Sequence, residues 1–273
     1  MASDAGTMPR SRERRSRELP TPQSLRRVAV QAAKAAGRVT LESFGGRLKF
    51  EIKPDGSPVT VTDRESEAEL RRIIRRSFPD HTIIGEETGE TSGDSRVRWF
   101  LDPIDGTKSF IHGVPLYCVL VAVEVDGIPT VGVIHMPALN ETVDAATGSG
   151  CTWNGRVAHV SRTARLGEAT VLTTSVRALE NEGVPFRRLA SATKTQRSWG
   201  DGYGFALVAT GRADAMIDSG LHPWDIAPMI PILEESGGRV TDWAGTRTIS
   251  STRYIASNGK LHESIRGLLR AKS

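Results

Sequence analysis

Only two cysteines, Cys118 and Cys151, occur in 273 residues. One sits in an apolar run and the other in a Gly-rich turn, so the chain has neither a disulfide framework nor a zinc site, and both thiols read as incidental or buried. No apolar run approaches the roughly 20 residues needed to cross a bilayer. No hydrophobic leader follows the basic start. The chain therefore reads as cytoplasmic, with no membrane partner. A strong excess of one charge is also missing from most of its length. Of the net +4, half lies in residues 1–20, where five arginines face three acids. That Ser-, Pro- and Arg-containing stretch reads as a disordered basic tail. Residues 21–273 are near neutral, so nucleic acid is not expected as a partner. They contain no repeat and no long linker, and are expected to form one domain.

What is present begins with a helix. Leu25, Val28, Ala32, Ala35 and Val39 recur at helical spacing from Pro22 to Phe44, and Gly45-Gly46 stop them. A strand is expected over 48–53, a Pro54-Asp55-Gly56 turn next, and a second strand over 58–62. Asp63 opens a helix, with Thr62 and Glu65 spaced as a capping box, that runs to Phe78-Pro79. A short strand over 81–84 leads into Gly85-Glu86-Glu87-Thr88, and 88–95 reads as a loop. Runs 116–125 and 128–135, joined by Asp126-Gly127, form a hairpin. Strands at 141–146 and 156–160 extend it, so 21–160 reads as a largely antiparallel α+β half. From 161 onwards strands and helices alternate, as in an α/β half. Strands are expected at 170–174, 213–217, 239–243 and 254–257. Helices are expected at 177–182, 203–210, 225–235 and 262–270, with Pro228 and Pro231 awkwardly inside the third of these.

The chemistry centres on Trp99-Phe100-Leu101-Asp102-Pro103-Ile104-Asp105-Gly106-Thr107. An apolar run, read as the end of a buried strand, delivers two carboxylates three residues apart. Pro103 stiffens the turn expected between them. Oxygen donors of this kind suit magnesium. Gly106 lets the backbone approach an anion closely, and its N–H with that of Thr107 could hold a phosphate oxygen. Five acids, Asp63, Glu86, Asp102, Asp105 and Asp225, each follow or end an apolar segment, like residues at a sheet rim. Together with a phosphate they would repel strongly unless divalent cations neutralised them. A haloacid-dehalogenase-type phosphatase would need Asp-x-Asp, whereas two residues intervene here.

Val61-Thr62-Asp63, Ile84-Gly85-Glu86-Glu87, Asp102-Pro103-Ile104-Asp105-Gly106-Thr107 and Trp224-Asp225 with Glu235-Ser236-Gly237-Gly238 resemble the inositol monophosphatase family of magnesium-dependent, lithium-sensitive phosphatases. The likeness spans roughly residues 22–270. It implies an α/β fold, a layered α-β-α-β-α sandwich of the inositol monophosphatase/fructose-1,6-bisphosphatase type, and often a homodimer. It implies two to three magnesium ions per site, with manganese as a substitute. Glu86, Asp102 and the Ile104 carbonyl would bind the first metal, Asp102, Asp105 and Asp225 the second, and Glu86 a third. Gly106 and Thr107 would seat the phosphate, and Thr107 with Asp63 would orient and deprotonate the attacking water. Arg197-Ser198-Trp199-Gly200-Asp201 resembles the histidinol-phosphate phosphatase branch, with Asp201 and Arg197 as substrate contacts. Asp218 stands where inositol phosphatases of the family usually carry Glu. The activity implied is hydrolysis of L-histidinol phosphate in histidine synthesis. The alternatives are an inositol-1-phosphate or broad sugar-phosphate phosphatase, and a non-enzymatic regulator binding RNA or the transcription machinery.

Overall fold

A computed structural model describes residues 19–270, apart from Arg47, Asp55, Asp94 and Ser95. All but the last two residues of the expected basic tail, and the centre of the Pro54-Asp55-Gly56 turn, lie outside the described residues.

In chain order the elements are α1 (Pro22–Ser43), β1 (Phe50–Ile52), β2 (Pro58–Thr60), α2 (Val61–Ser77), β3 (Thr82–Gly85), β4 (Gly89–Thr91) and β5 (Val97–Asp105). Next come α3 (Thr107–Ile111), β6 (Cys118–Val125), β7 (Ile128–Met136), β8 (Glu141–Ala146), β9 (Cys151–Trp153), β10 (Arg156–Val157) and β11 (Thr170–Leu172). The chain continues through α4 (Val176–Asn181), α5 (Phe186–Ala192), β12 (Thr195–Arg197), α6 (Asp201–Ala209) and β13 (Ala215–Ser219). It ends with α7 (Pro223–Ile226), α8 (Met229–Glu235), β14 (Arg239–Asp242), β15 (Arg253–Ser257) and α9 (His262–Leu269).

Three sheets result: the β1–β2 hairpin, an eight-stranded sheet in the order β10-β9-β8-β7-β6-β5-β3-β4, and a five-stranded sheet in the order β12-β11-β13-β15-β14. The eight-stranded sheet is antiparallel except where β3 runs parallel to β5. In the five-stranded sheet β11 is parallel to both neighbours, and the remaining pairs are antiparallel.

Five layers follow from which faces are apolar. Helices α1 and α2 cover one face of the large sheet, and Ala29, Ala32, Ala33 and Ala36 let α1 approach it closely. Helices α6 and α8 fill the space between the sheets, with apolar side chains all round α6, as a helix buried on every side requires. Helices α4, α5 and α9 close the outer face of the smaller sheet around Leu179, Leu189 and Ile265.

Several local expectations are corrected. The capping box of α2 is Thr60 with Asp63, two residues earlier than Thr62 with Glu65, because the Thr60 hydroxyl and the Asp63 carboxylate each reach the other's backbone N–H. Residues 89–91 pair with β3 as an edge strand within the expected loop. Pro228 separates two helices where one was expected over 225–235. Pro231 then falls in the first turn of α8, where its missing N–H costs little. No helix among the described residues is long and apolar enough to cross a membrane.

Candidate active site

Asp102 and Asp105 belong to β5 itself, not to a turn after it. Residues three apart on a regular strand face opposite sides. Here Asp102 pairs with Leu120 and Asp105 with Cys118, so β5 has one residue more than β6 across this stretch. That bulge re-aims the second acid towards the side of the first, and Pro103 fits within it because an unpaired position needs no N–H donor.

The third acid arrives from far along the chain. Asp225 stands in the first turn of α7, where its carboxylate accepts the His222 N–H at 2.7 Å. Carboxylate oxygens of Asp102, Asp105 and Asp225 all lie within 4.8 Å of one another. Asp102 accepts the Ile104 N–H at 3.0 Å, and Asp105 accepts that of Gly202. Burial, then the charges of Glu86, Asp105 and Asp225, holds the Asp102 carboxyl well above the usual carboxylate range. Asp105 is raised by burial and by Asp201 and Asp225. Burial pushes Asp225 up to about 7. Three crowded, desolvated carboxylates with hard oxygen donors form a set that fits a divalent cation, whose charge would relieve their repulsion.

Glu86 follows β3, and its N–H donates to the Leu101 carbonyl at 3.1 Å. Its carboxylate pairs with Lys53 at 2.8 Å, and its charge is among those that raise the Asp102 carboxyl. Beside these acids Gly106 adopts φ 81°, a left-handed conformation natural to glycine, and caps α3. A Cβ there would come within 2.9 Å of the Asp201 carboxylate. The Thr107 hydroxyl donates to the Ile104 carbonyl at 3.0 Å.

The opposite wall comes from the smaller sheet. Thr174, just past β11, donates its hydroxyl to the Asp218 carboxylate and accepts the Asp201 N–H at 2.8 Å. Burial pushes Asp218 up to about 7 and raises Asp201 too, the latter opposed by Lys108. Between the walls lies a cavity of about 420 Å³ bounded by Glu86, Asp102, Asp105, Gly106, Thr107, Asp201, Asp218 and Asp225 among others.

Two expected site residues, Arg197 and Asp63, do not line this cavity, though Asp63 lies close enough to feel the charges of Glu86 and Lys53. Arg197 is exposed, donates to the Gln196 carbonyl at 2.7 Å and lies over the Trp199 ring at 6.0 Å, so it does not line the cavity. Asp63 is buried and accepts both the N–H and the hydroxyl of Thr60, at 2.7 and 2.6 Å. No hydrogen bond joins it to Thr107. Burial nonetheless raises its carboxyl above the usual range. Sequence reasoning missed Lys53 and Thr174. A lysine before Pro-Asp-Gly and a threonine after a strand carry no signal of their partners, which are 33 and 44 residues away.

A profile of the inositol monophosphatase family matches residues 21–273. A histidinol-phosphatase from Chlorobaculum parvum is 43% identical over 233 residues, 84% of this chain and 90% of that protein. An inositol-1-monophosphatase from Synechocystis is 36% identical over 252 residues, covering 89% and 88% of the two chains. The crystal structure of the extragenic suppressor protein suhB from Bartonella henselae superposes with a TM-score of 0.87 at 30% identity, over 92% of this chain and all of that one. With the carboxylate cluster, the layered fold and these likenesses together, the chain belongs to the inositol monophosphatase family of metal-dependent phosphomonoesterases.

Proposed function

We propose that this protein hydrolyses L-histidinol phosphate to L-histidinol and phosphate. The observation that carries the substrate is the carboxylate pair Asp201 and Asp218, tied to one threonine on the wall facing the metal-binding acids. An ammonium or imidazolium group pairs with such a wall through charge-assisted hydrogen bonds, whereas a neutral cyclitol gains less from it. The 43% likeness to a histidinol-phosphatase supports the same choice.

Asp102, Asp105 and Asp225, with Glu86 and the Ile104 carbonyl, would hold magnesium. When bound, the metal acidifies water and neutralises charge on the phosphate and the leaving oxygen. The backbone N–H groups of Gly106 and Thr107 hold the phosphate, since a glycine cap brings no side-chain hydrogen bond of its own to the start of α3. The Thr107 hydroxyl orients the attacking water, and Asp63, its pKa raised by burial, takes the proton. Asp201 and Asp218 bind the cationic end of the substrate. Arg197 has no part in this reading.

A second reading, hydrolysis of inositol 1-phosphate, draws on Asp218. Its carboxyl is pushed up to about 7, so near neutral pH part of the population is protonated and can donate to a hydroxyl. Phosphate release with magnesium from the two substrates side by side decides between them. A preference of about a hundredfold for histidinol phosphate, about 2.7 kcal/mol, is expected. Comparable rates would favour the inositol or broad phosphatase. Release from neither would return the non-enzymatic reading.

A further inference from the structure

Lys53 has no part in the proposed chemistry, yet it holds one of the proposed metal ligands. Its ammonium lies 2.8 Å from Glu86 and 2.6 Å from Glu87 and is only 19% exposed. Among the described residues this is the only ion pair made by Glu86, Asp102, Asp105 or Asp225.

The two sides of this contact are anchored very differently. The turn after β3 is locked. Glu67, fully buried, accepts the Glu87 N–H at 2.8 Å and the Thr88 N–H at 3.3 Å. Gly85 lies so close that a Cβ would clash with the Glu67 carboxylate. Lys53, by contrast, follows β1, a three-residue strand exposed along its whole length and paired only with β2. Its turn is closed by the Lys53 N–H to Ser57 carbonyl bond at 2.8 Å and the Gly56 N–H to Lys53 carbonyl bond at 2.9 Å. Of this hairpin only β2 is buried, so the exposed outer strand and the turn carrying Lys53 are the low-stability part of the site. If one partner moves, it is Lys53.

We infer that Lys53 is a built-in counter-cation that occupies Glu86 until a divalent ion claims that carboxylate, and that Lys53 then stays on Glu87 alone. The inference rests on the metal-site reading above. An ammonium and a divalent ion on one carboxylate repel strongly in a site this buried, so each weakens the other's hold. Glu87, only 5% exposed, would tether the displaced ammonium within reach. The metal that uses Glu86 would thus bind more weakly than its ligands alone dictate.

The test is manganese binding to the full chain, followed by electron paramagnetic resonance. Lys53→Met combined with Glu87→Gln removes one charge of each sign, so the formal charge of the site is unchanged and Glu86 alone is left without its cation. In that double variant the manganese site lost in Glu86→Gln is expected to tighten about tenfold, because its competitor is gone. Lys53→Arg, which keeps the cation, is expected to stay close to wild type. In the wild-type chain, magnesium is expected to shift the Lys53 side-chain nuclear magnetic resonance signals with the midpoint of the Glu86 site, a readout that needs no variant to fold. Equal or weaker manganese binding in the folded double variant, or Lys53 signals indifferent to magnesium, would overturn the inference while leaving the metal site standing. No manganese bound by the wild type would overturn the metal reading and this inference with it.

Discussion

The two walls of the cavity are built in opposite ways. The metal-binding wall takes Asp102, Asp105, Gly106 and Thr107 from one continuous stretch of β5 and the start of α3. The facing wall takes Asp201 from the start of α6 and Asp218 from β13, with Thr174 after β11 joining them. On the first wall a single bulge sets the geometry, and covalent neighbours hold it. On the second, the geometry exists only because β11 and β13 pair as parallel neighbours. On the proposed function, the chemical step depends on a stretch shaped locally and completed by Asp225 from far along the chain, and the choice of substrate on contacts that are long-range throughout.

If that contrast holds, the largest effect comes from the first wall. Asp105→Asn is expected to lower turnover by about a thousandfold or more, with the melting temperature kept or raised, because a crowded charge is removed. Normal magnesium-dependent turnover would show that Asp105 is not a ligand. On the second wall the effect should fall on binding. Asp201→Asn is the cleaner change than Asp201→Ala, since Asp201 has φ 51°, where Asn is tolerated and Ala strained. It is expected to raise KM for histidinol phosphate by about ten- to a hundredfold, the loss of one charged hydrogen bond, and to leave KM for inositol 1-phosphate nearly unchanged. Equal effects on both substrates would make Asp201 structural.

Smaller again is the contribution of Thr174. Thr174→Val removes the hydroxyl shared by Asp201 and Asp218 and is expected to raise KM several-fold, with kcat little changed. Thr174→Ser is expected to restore it. A matching loss in both variants would point to packing instead of the hydroxyl.

The smallest effect is on stability, and it depends on pH. Burial lifts the Asp218 carboxyl from 3.8 to about 7. The folded protein therefore keeps a proton that the unfolded chain has released. The stability from that proton is fully present below pH 3.8 and is lost once pH passes about 7. Metal-free Asp218→Asn protein should accordingly melt a few degrees above wild type at pH 8, with the gap narrowing as pH falls towards 5. Melting curves that stay parallel across that range would mean that Asp218 is ionised throughout.

How much of this was legible follows the same division. The acids around Pro103 could be read directly, although the bulge that makes them share a side could not, since it depends on β6 having one residue fewer across the stretch. The α2 cap was displaced by two residues because Thr60 and Thr62 both precede an acid three positions on, and only the backbone shows which one lies outside the helix. Pro231 is an anomaly inside one helix over 225–235, and is ordinary in the first turn of α8 once the helix breaks at Pro228. Arg197 had the right residue type beside the right motif, yet its side chain lies over Trp199 in solvent.

By itself the sequence determined the hard-oxygen chemistry, the glycine cap beside it and the apolar periodicities of α1 and α2, because each depends on residues a few bonds or one helical turn apart. Tertiary structure alone decided that Asp225 joins Asp102 and Asp105, that Thr174 binds two carboxylates, and that Lys53 rests on Glu86. Those contacts connect residues tens to more than a hundred positions apart. They depend on strand order and sheet packing, to which every part of the chain contributes and which no short stretch encodes.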